Sequence, residues 1–548
     1  MNEAARIDLD AALRAASRDP TLIEAAGALQ QNRLAVAERL LRARLHDRPT
    51  DIAAIRMLAE VAGRLGRYAD AEKLLARALE LAPQFTAARA NYVTVLHRQS
   101  KFTAALAEVD RLLAAEPDDA GHLALKAAVL VRTGGYDEAI AAYEKILARF
   151  PDQPRLWISY GHVLKTVGRQ DESIGAYRRA IAYQDTLGDA WWSLANLKTV
   201  RFDREDMAAM RSAIERAPTA SDRYHLHFAL GKALEDARDH AASFSNYAEG
   251  NRLRRAELPY NAAQTSQHVA RVRKLLTADA LAARAGWGDP APDPIFVVGL
   301  PRAGSTLIEQ ILASHSLVEG TMELADIGTI THDLSGRGVP PDEDEAVPGY
   351  LPRLLALGPE EMQALGRRYI ENTRIQRKSD RPFFVDKMPN NFAHIGLIHL
   401  ILPNAKIIDA RRHPMANGFS AYKQHFSRGQ GFTYDLDELG RYYRDYVEIM
   451  EHYGRVLPGL IHRVHYEDMV ANPEAQTRAL LAHCGLAFEA ACLTFHETKR
   501  AVRTASSEQV RRPMTTEAVD HWHHYSPWLG PLAHALGDVV DRYPARTG

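Results

Sequence analysis

Two cysteines, Cys484 and Cys492, in 548 residues leave no material for a disulfide framework or a thiolate-rich zinc site. Long apolar runs are missing too: no stretch approaches the roughly 18 to 20 apolar residues of a membrane span. The opening MNEAARIDLDAALRAA is acidic where a secretory signal would carry basic residues before an apolar run. A cytoplasmic chain with no membrane span is therefore expected. A formal charge of −1 removes the electrostatic case for duplex nucleic acid as a partner. Hydrophobic content of 46% and charged content of 25% are ordinary for folded domains, and the length calls for two or three of them. One further absence is local. In IFVVGLPRAGSTLIEQIL, residues 295–312, an apolar run, a glycine-bearing loop and an apolar helix have the layout of a phosphate-binding loop, but the lysine is missing.

The first 250 residues lack strand-like runs and repeat themselves. Pro49, Pro83, Pro117 and Pro151 stand 34 residues apart, and the next step reaches Asp185. Twelve positions before each comes a small residue (Ala37, Ala71, Ala105, Ala139, then Ser173), and fifteen before each proline a bulky one (Leu34, Tyr68, Phe102, Tyr136). A small residue lets antiparallel helices approach closely, the bulky one fills the space beside it, and the proline is expected to start the next helix. GRYADAEKLLARALELAP and GGYDEAIAAYEKILARFP carry the pattern, which resembles the tetratricopeptide repeat over residues 28–185, with a degenerate continuation through DHAASFSNYAEGNRL. Such stacks present surfaces to peptides or proteins, so the resemblance implies a polypeptide partner.

Residues 251–286 read as a connecting helix and WGDPAPDP as a proline-broken linker. Beyond it, apolar runs at 295–299, 383–386, 406–410 and 460–466 alternate with helical segments, which argues for a mostly parallel sheet covered by helices. The expected organisation is an α + α/β chain: an α-solenoid at 1–250, a connection at 251–293, and an α/β domain with a phosphate-loop-like site at 294–548.

In that loop Gly299 and Gly304 keep the glycine spacing, Ser305 replaces the lysine that clamps outer phosphates, and Thr306 follows. The amides of residues 302–306 would still face an anion at a helix start, and Arg302 adds a charge able to grip it. A donor with a single 5'-phosphate bearing a non-phosphate group suits this loop better than a triphosphate. No metal is required, because there are no outer phosphates for magnesium to bridge.

FVVGLPRAGSTLIEQIL, VDKMPNN, DARRHPMANGFSAY and HYEDMVANPE, in that order, resemble the sulfotransferases that use 3'-phosphoadenosine 5'-phosphosulfate, and within them the tyrosylprotein branch and its relatives carrying tetratricopeptide repeats. The resemblance covers about residues 294–530. It implies that Arg302, Ala303, Gly304, Ser305 and Thr306 cradle the 5'-phosphosulfate. It implies further that Arg412 and Ser420 hold the 3'-phosphate and that Tyr466 lies beside the adenosine. Glu323 would be the base that deprotonates the acceptor hydroxyl, with Glu319 its competitor. Lys387, closing the run FFVD, would stabilise the bridging oxygen together with Arg302. In VRTASSEQVRRPM, Ser507 or its neighbour Ser506 would bond the leaving side. The implied reaction moves a sulfuryl group to a hydroxyl on a protein or peptide, a tyrosine among the candidates.

His315 has the residue type of the base used by the smaller cytosolic sulfotransferases, but theirs lies elsewhere in the chain. His521, His523 and His524 are spaced to point around an element instead of converging on zinc, and PPDEDEAVP (340–348) reads as an exposed acidic loop. Two rival readings stand: a phosphate-loop nucleotide kinase, opposed by Ser305, and a non-catalytic repeat scaffold with a nucleotide-binding domain, which would need no base.

Overall fold

The computed structural model describes residues 8–335, 349–426, 429–498, 500–502, 504 and 507–544. The acidic stretch 340–348 and Ser506 lie outside the described residues. The chain forms two compact units, residues 1–152 and 153–548.

The first unit is built of helix pairs. Fourteen-residue helices begin at Leu34, Tyr68, Phe102 and Tyr136, and their partners begin at Ile52, Thr86 and Ala120. Ala37, Ala71, Ala105 and Ala139 are completely buried, as expected of residues that set the approach of two helices. The prolines do not start helices. Pro49, Pro83 and Pro117 stand in the turns, two residues past helices ending at Asp47, Leu81 and Ala115 and three before the next helix. There a ring without an N–H stops the preceding helix and costs no hydrogen bond.

The second unit opens with two helices in the same 34-residue phase, Pro154–Val167 and Gln170–Tyr183. Helices Gly188–Ala195, Arg204–Arg216, Ala220–Asp236 and His240–Ala256 follow. Here the small position is serine. Ser173 Oγ donates to Gly161 O at 3.0 Å and Ser243 Oγ to Gly231 O at 2.8 Å, so the degenerate continuation packs by the rule of the regular copies. The single connecting helix expected at 251–286 is instead the end of His240–Ala256 followed by Ala262–Leu275 and Ala278–Ala282, the chain breaking after Ala256 before it reaches Pro259.

The α/β region holds one five-stranded sheet: β1 (Pro294–Gly299), β2 (Val318–Gly320), β3 (Phe383–Asp386), β4 (Lys406–Arg411) and β5 (Ile461–His465). All pairings are parallel, in the order β2-β3-β1-β4-β5, with Phe296 beside Asp386 and Val297 beside Ile408. Every residue of β1 is buried, which is why the run carries no polar alternation. Ile295, Val297, Val385 and Ile408 meet Ile311 and Leu312 of helix Ser305–Ala313 on one face. Phe296 and Phe384 meet Tyr369 on the other. Because all strands run the same way, their carboxyl ends share one rim, where open α/β sheets bind ligands.

Within this unit the repeat helices are bonded to the α/β region. Asn251 Nδ2 donates to Tyr422 O at 2.9 Å, Val502 N to Thr166 O at 3.0 Å, and Lys423 Nζ pairs with Glu235 at 2.9 Å.

Candidate donor site

β1 ends on Gly299, whose φ of 136° and tight seat against the Ala410 carbonyl exclude a side chain. The loop then turns through Arg302, left-handed at φ 69°, and Gly304 at φ 95°. A Cβ on Gly304 would lie 2.8 Å from the Tyr466 ring, so this glycine lets the aromatic close against the loop. Ser305 and Thr306 open the helix and are buried. The first N–H groups of a helix have no partner within it, and the positive end of its dipole lies there.

The arginines converge on this loop. Arg302 Nε donates to Ser420 Oγ at 3.2 Å and its Nη2 to Gln509 Oε1 at 3.0 Å. Arg412, one residue past β4, donates through Nη1 to Arg302 O at 3.3 Å and through Nη2 to Ala518 O. Its guanidinium lies 4.9 Å from the Tyr466 ring centroid, a cation–π distance. Ser420 projects from helix Pro414–Tyr422, which follows β4 directly. Arg302, Gly304, Ser305, Thr306, Arg412, Ser420 and Tyr466 thus line one cavity of about 430 Å³. Ala303 is buried beside it in the same loop. Burial, with Arg412 adding repulsion, pushes the Arg302 guanidinium down to about 10, so it remains charged at neutral pH. Arg412 Nε and Ser507 Oγ are buried without a hydrogen-bond partner among the described residues. Cations crowded around one concavity, with the buried Arg412 Nε unused among them, fit a multiply charged anion.

Glu323, Lys387 and Ser507 lie outside the lining of this cavity. Lys387, almost fully buried one residue past β3, forms an ion pair with Glu323, whose side chain is 45% exposed. Glu319 is spent differently, accepting from Ser379 Oγ at 2.8 Å and from the Lys378 and Ser379 amides. His315 has both ring nitrogens engaged, with Ala487 O at 3.0 Å and Leu317 N at 3.1 Å. Of the three late histidines, His521 lies 3.5 Å from Glu235, His523 is exposed, and His524 stacks on His240 at 4.8 Å. Among the described residues, side chains that could reach one ion are Glu116, Asp119 and His122 in the first unit, where Asp119 caps a helix.

Several lining residues gave no sequence signal: Lys198 and Lys232 from the repeats, Lys423 and Gln424 from the end of the Ser420 helix, and Gln509 and Arg512 from the late loop. Their only trace is that Gln509 and Arg512 fall inside VRTASSEQVRRPM.

Residues 294–490 match the model of the sulfotransferase family. Residues 21–156 match the cytochrome c-type biogenesis protein H TPR domain and residues 124–196 the tetratricopeptide repeat. The chain therefore joins a tetratricopeptide-repeat region to an α/β domain that matches the sulfotransferase family model. An uncharacterized protein of Aquifex aeolicus (strain VF5) is 34% identical over 317 residues, 56% of this chain, which spans 41% of that relative's length. Among solved structures, the sulfotransferase domain from the Synechococcus PCC 7002 olefin synthase is 21% identical, covering 43% of this chain and 88% of its own at a TM-score of 0.33. MamA 41-end from Desulfovibrio magneticus RS-1 is 17% identical, covering 30% and 94% at a TM-score of 0.28.

Proposed function

We propose that the protein transfers a sulfuryl group from 3'-phosphoadenosine 5'-phosphosulfate to a hydroxyl on a protein or peptide, a tyrosine among the candidates. Residues 1–250 recruit the acceptor, 251–293 connect, and 294–548 perform the transfer. One observation carries the reading: Arg302, residues 304–306, Arg412, Ser420 and Tyr466, drawn from three separate motifs, meet in one cavity around a loop that has Ser305 where a triphosphate clamp would have lysine.

Sulfuryl transfer forms a bond from the acceptor oxygen to sulfur and breaks the bond from sulfur to the bridging phosphate oxygen, and the adenosine bisphosphate leaves. Like phosphoryl transfer, it asks the protein mainly to position the groups and neutralise charge. Arg302 and the amides of residues 302–306 hold the 5' end, while Arg412 and Ser420 hold the 3'-phosphate. Glu323 takes the acceptor proton. A hydroxyl is a poor nucleophile until that proton is removed, and of the two glutamates Glu323 is the one not committed to capping a turn. Its partner Lys387 is freed as Glu323 gains the proton, and its charge then serves the departing bridging oxygen. Ser507, with its buried hydroxyl unpaired, bonds the leaving side.

The test is calorimetric titration with 3'-phosphoadenosine 5'-phosphate and, separately, ATP with magnesium. The bisphosphate should bind and ATP should not, and Arg302→Ala should weaken the bisphosphate by about 100-fold, the loss of a charge-assisted bidentate contact. Preference for ATP would instead establish a kinase.

A further inference from the structure

Part of the wall of the donor cavity comes from the repeats: Trp192, Asn196, Lys198, Lys232 and Glu235 line it together with Arg302 and Thr306. Six cations line the cavity among the described residues (Lys198, Lys232, Arg302, Arg412, Lys423 and Arg512), against one carboxylate, Glu235. Glu235 is taken up by Lys423 at 2.9 Å, and Lys232 pairs with Asp236 at 2.5 Å. Those two lysines are balanced by carboxylates of the repeat helix Ala220–Asp236.

Lys198 lines the same cavity. It follows helix Gly188–Ala195 in a left-handed conformation, φ 63°, uncommon for a residue with a Cβ and sustained only where its surroundings hold it. Its Nζ donates to Gln424 Oε1 at 3.3 Å, and Gln424 Nε2 donates in turn to Asn196 Oδ1 at 3.2 Å. This amide ties the turn to the helix that carries Ser420. Burial first, then Arg302, Lys165, Lys423 and Lys232, holds the Lys198 ammonium well below the ordinary lysine range. An anion among these groups reverses that repulsion.

Resting on the sulfotransferase reading, we propose that Lys198 is a donor-binding residue supplied by the repeats: its ammonium shares with Arg302 the negative charge of the donor's phosphate or phosphosulfate. The repeat segment then completes the donor site in addition to recruiting the acceptor.

The full chain, Lys198→Gln, Lys198→Arg and Arg302→Ala are titrated with 3'-phosphoadenosine 5'-phosphate. Lys198→Gln should weaken binding by about tenfold, as expected for one charge-assisted contact, and Lys198→Arg should recover most of it. Repeating the titrations at mildly alkaline pH in buffers of different ionisation heat counts protons. The native chain should take up protons on binding, and Lys198→Gln should take up fewer, a difference that a packing role would not produce. Native affinity and native proton uptake in Lys198→Gln, alongside a loss in Arg302→Ala, overturn the role of Lys198 and leave the sulfotransferase reading standing. A loss that arginine does not restore assigns Lys198 to packing and also overturns it. Failure of the native chain to bind the bisphosphate removes both.

Discussion

The repeats of the first compact unit and those of the second solve the same packing problem with different residues. In the first, Ala25 and Leu41 share one core cluster and Ala59 and Leu75 the next. In the second, the same sixteen-residue spacing pairs Gly161 with Tyr177 and Gly231 with Tyr247, and a Cβ on either glycine would lie 2.6 or 2.8 Å from its tyrosine ring. A large side chain on one helix is offset by removal of a Cβ from the other, so the interhelical volume is kept. The charges differ as well. In the first unit the Arg42–Glu38 pair is 63% and 20% exposed, whereas in the second Glu235 is 9% exposed and set among Lys423, Lys232 and His521. The repeats that border the candidate donor site carry aromatic bulk and buried charge.

Replacing the buried carboxylate should break that contrast hardest. Glu235→Gln leaves Lys423 buried without its counter-ion, and a loss of about 3 to 5 kcal/mol is expected in chemical denaturation. Its pH dependence follows from sign. Burial opposes ionisation of Glu235, but Lys423, His521 and Lys232 outweigh it and hold the carboxyl down at about 2, below the ordinary 4.5. Its contribution is therefore complete above 4.5 and is lost as pH falls toward 2. Burial, with Lys423 beside it, pushes His521 down to about 4 from 6.5, so its contribution is complete above 6.5 and fades toward 4. Stability should fall continuously on acidification from 6.5, and Glu235→Gln should flatten the lower part of that curve.

Transplanting the first unit's pair into the second sharpens the packing half of the comparison. Gly161→Ala overpacks by about 1 to 3 kcal/mol, and Tyr177→Leu leaves a cavity costing about 2 to 4 kcal/mol. Made together they recreate the Ala59 and Leu75 arrangement, and the double variant should lose at least about 1 kcal/mol less than the two losses added. Additive losses in urea denaturation would mean that the pairs are not equivalent. The smallest effect belongs to the exposed pair: Arg42→Ala should cost less than about 1 kcal/mol and leave bisphosphate affinity unchanged.

The repeats were legible because one small residue in every 34 decides how close two helices come, and that requirement is written as identity at a fixed spacing. The prolines were misassigned because both a helix start and the turn before it accept a residue without an N–H. Four strands were visible as apolar runs. β2 was not, since it has three residues and Glu319 is one of them. At the site, the loop was legible from its glycines and Arg302, while the Arg412 and Ser420 segment was singled out by the family resemblance, and both line one cavity. Lys198, Lys232 and Gln509 were not, because a lysine in a turn or a glutamine in a late loop gains its role only when distant segments meet.

The bond from Val502 N to Thr166 O, joined by Arg511 Nη2 to the same carbonyl at 3.0 Å, has a practical meaning for anyone recombining this protein. A seam at residue 293 would orphan that carbonyl, strip the cavity of Trp192 and Lys198 and bare the face that holds Tyr422 and Tyr525. The natural place to graft a foreign recognition module is between Asp152 and Gln153, so that the α/β region travels with its last repeats attached.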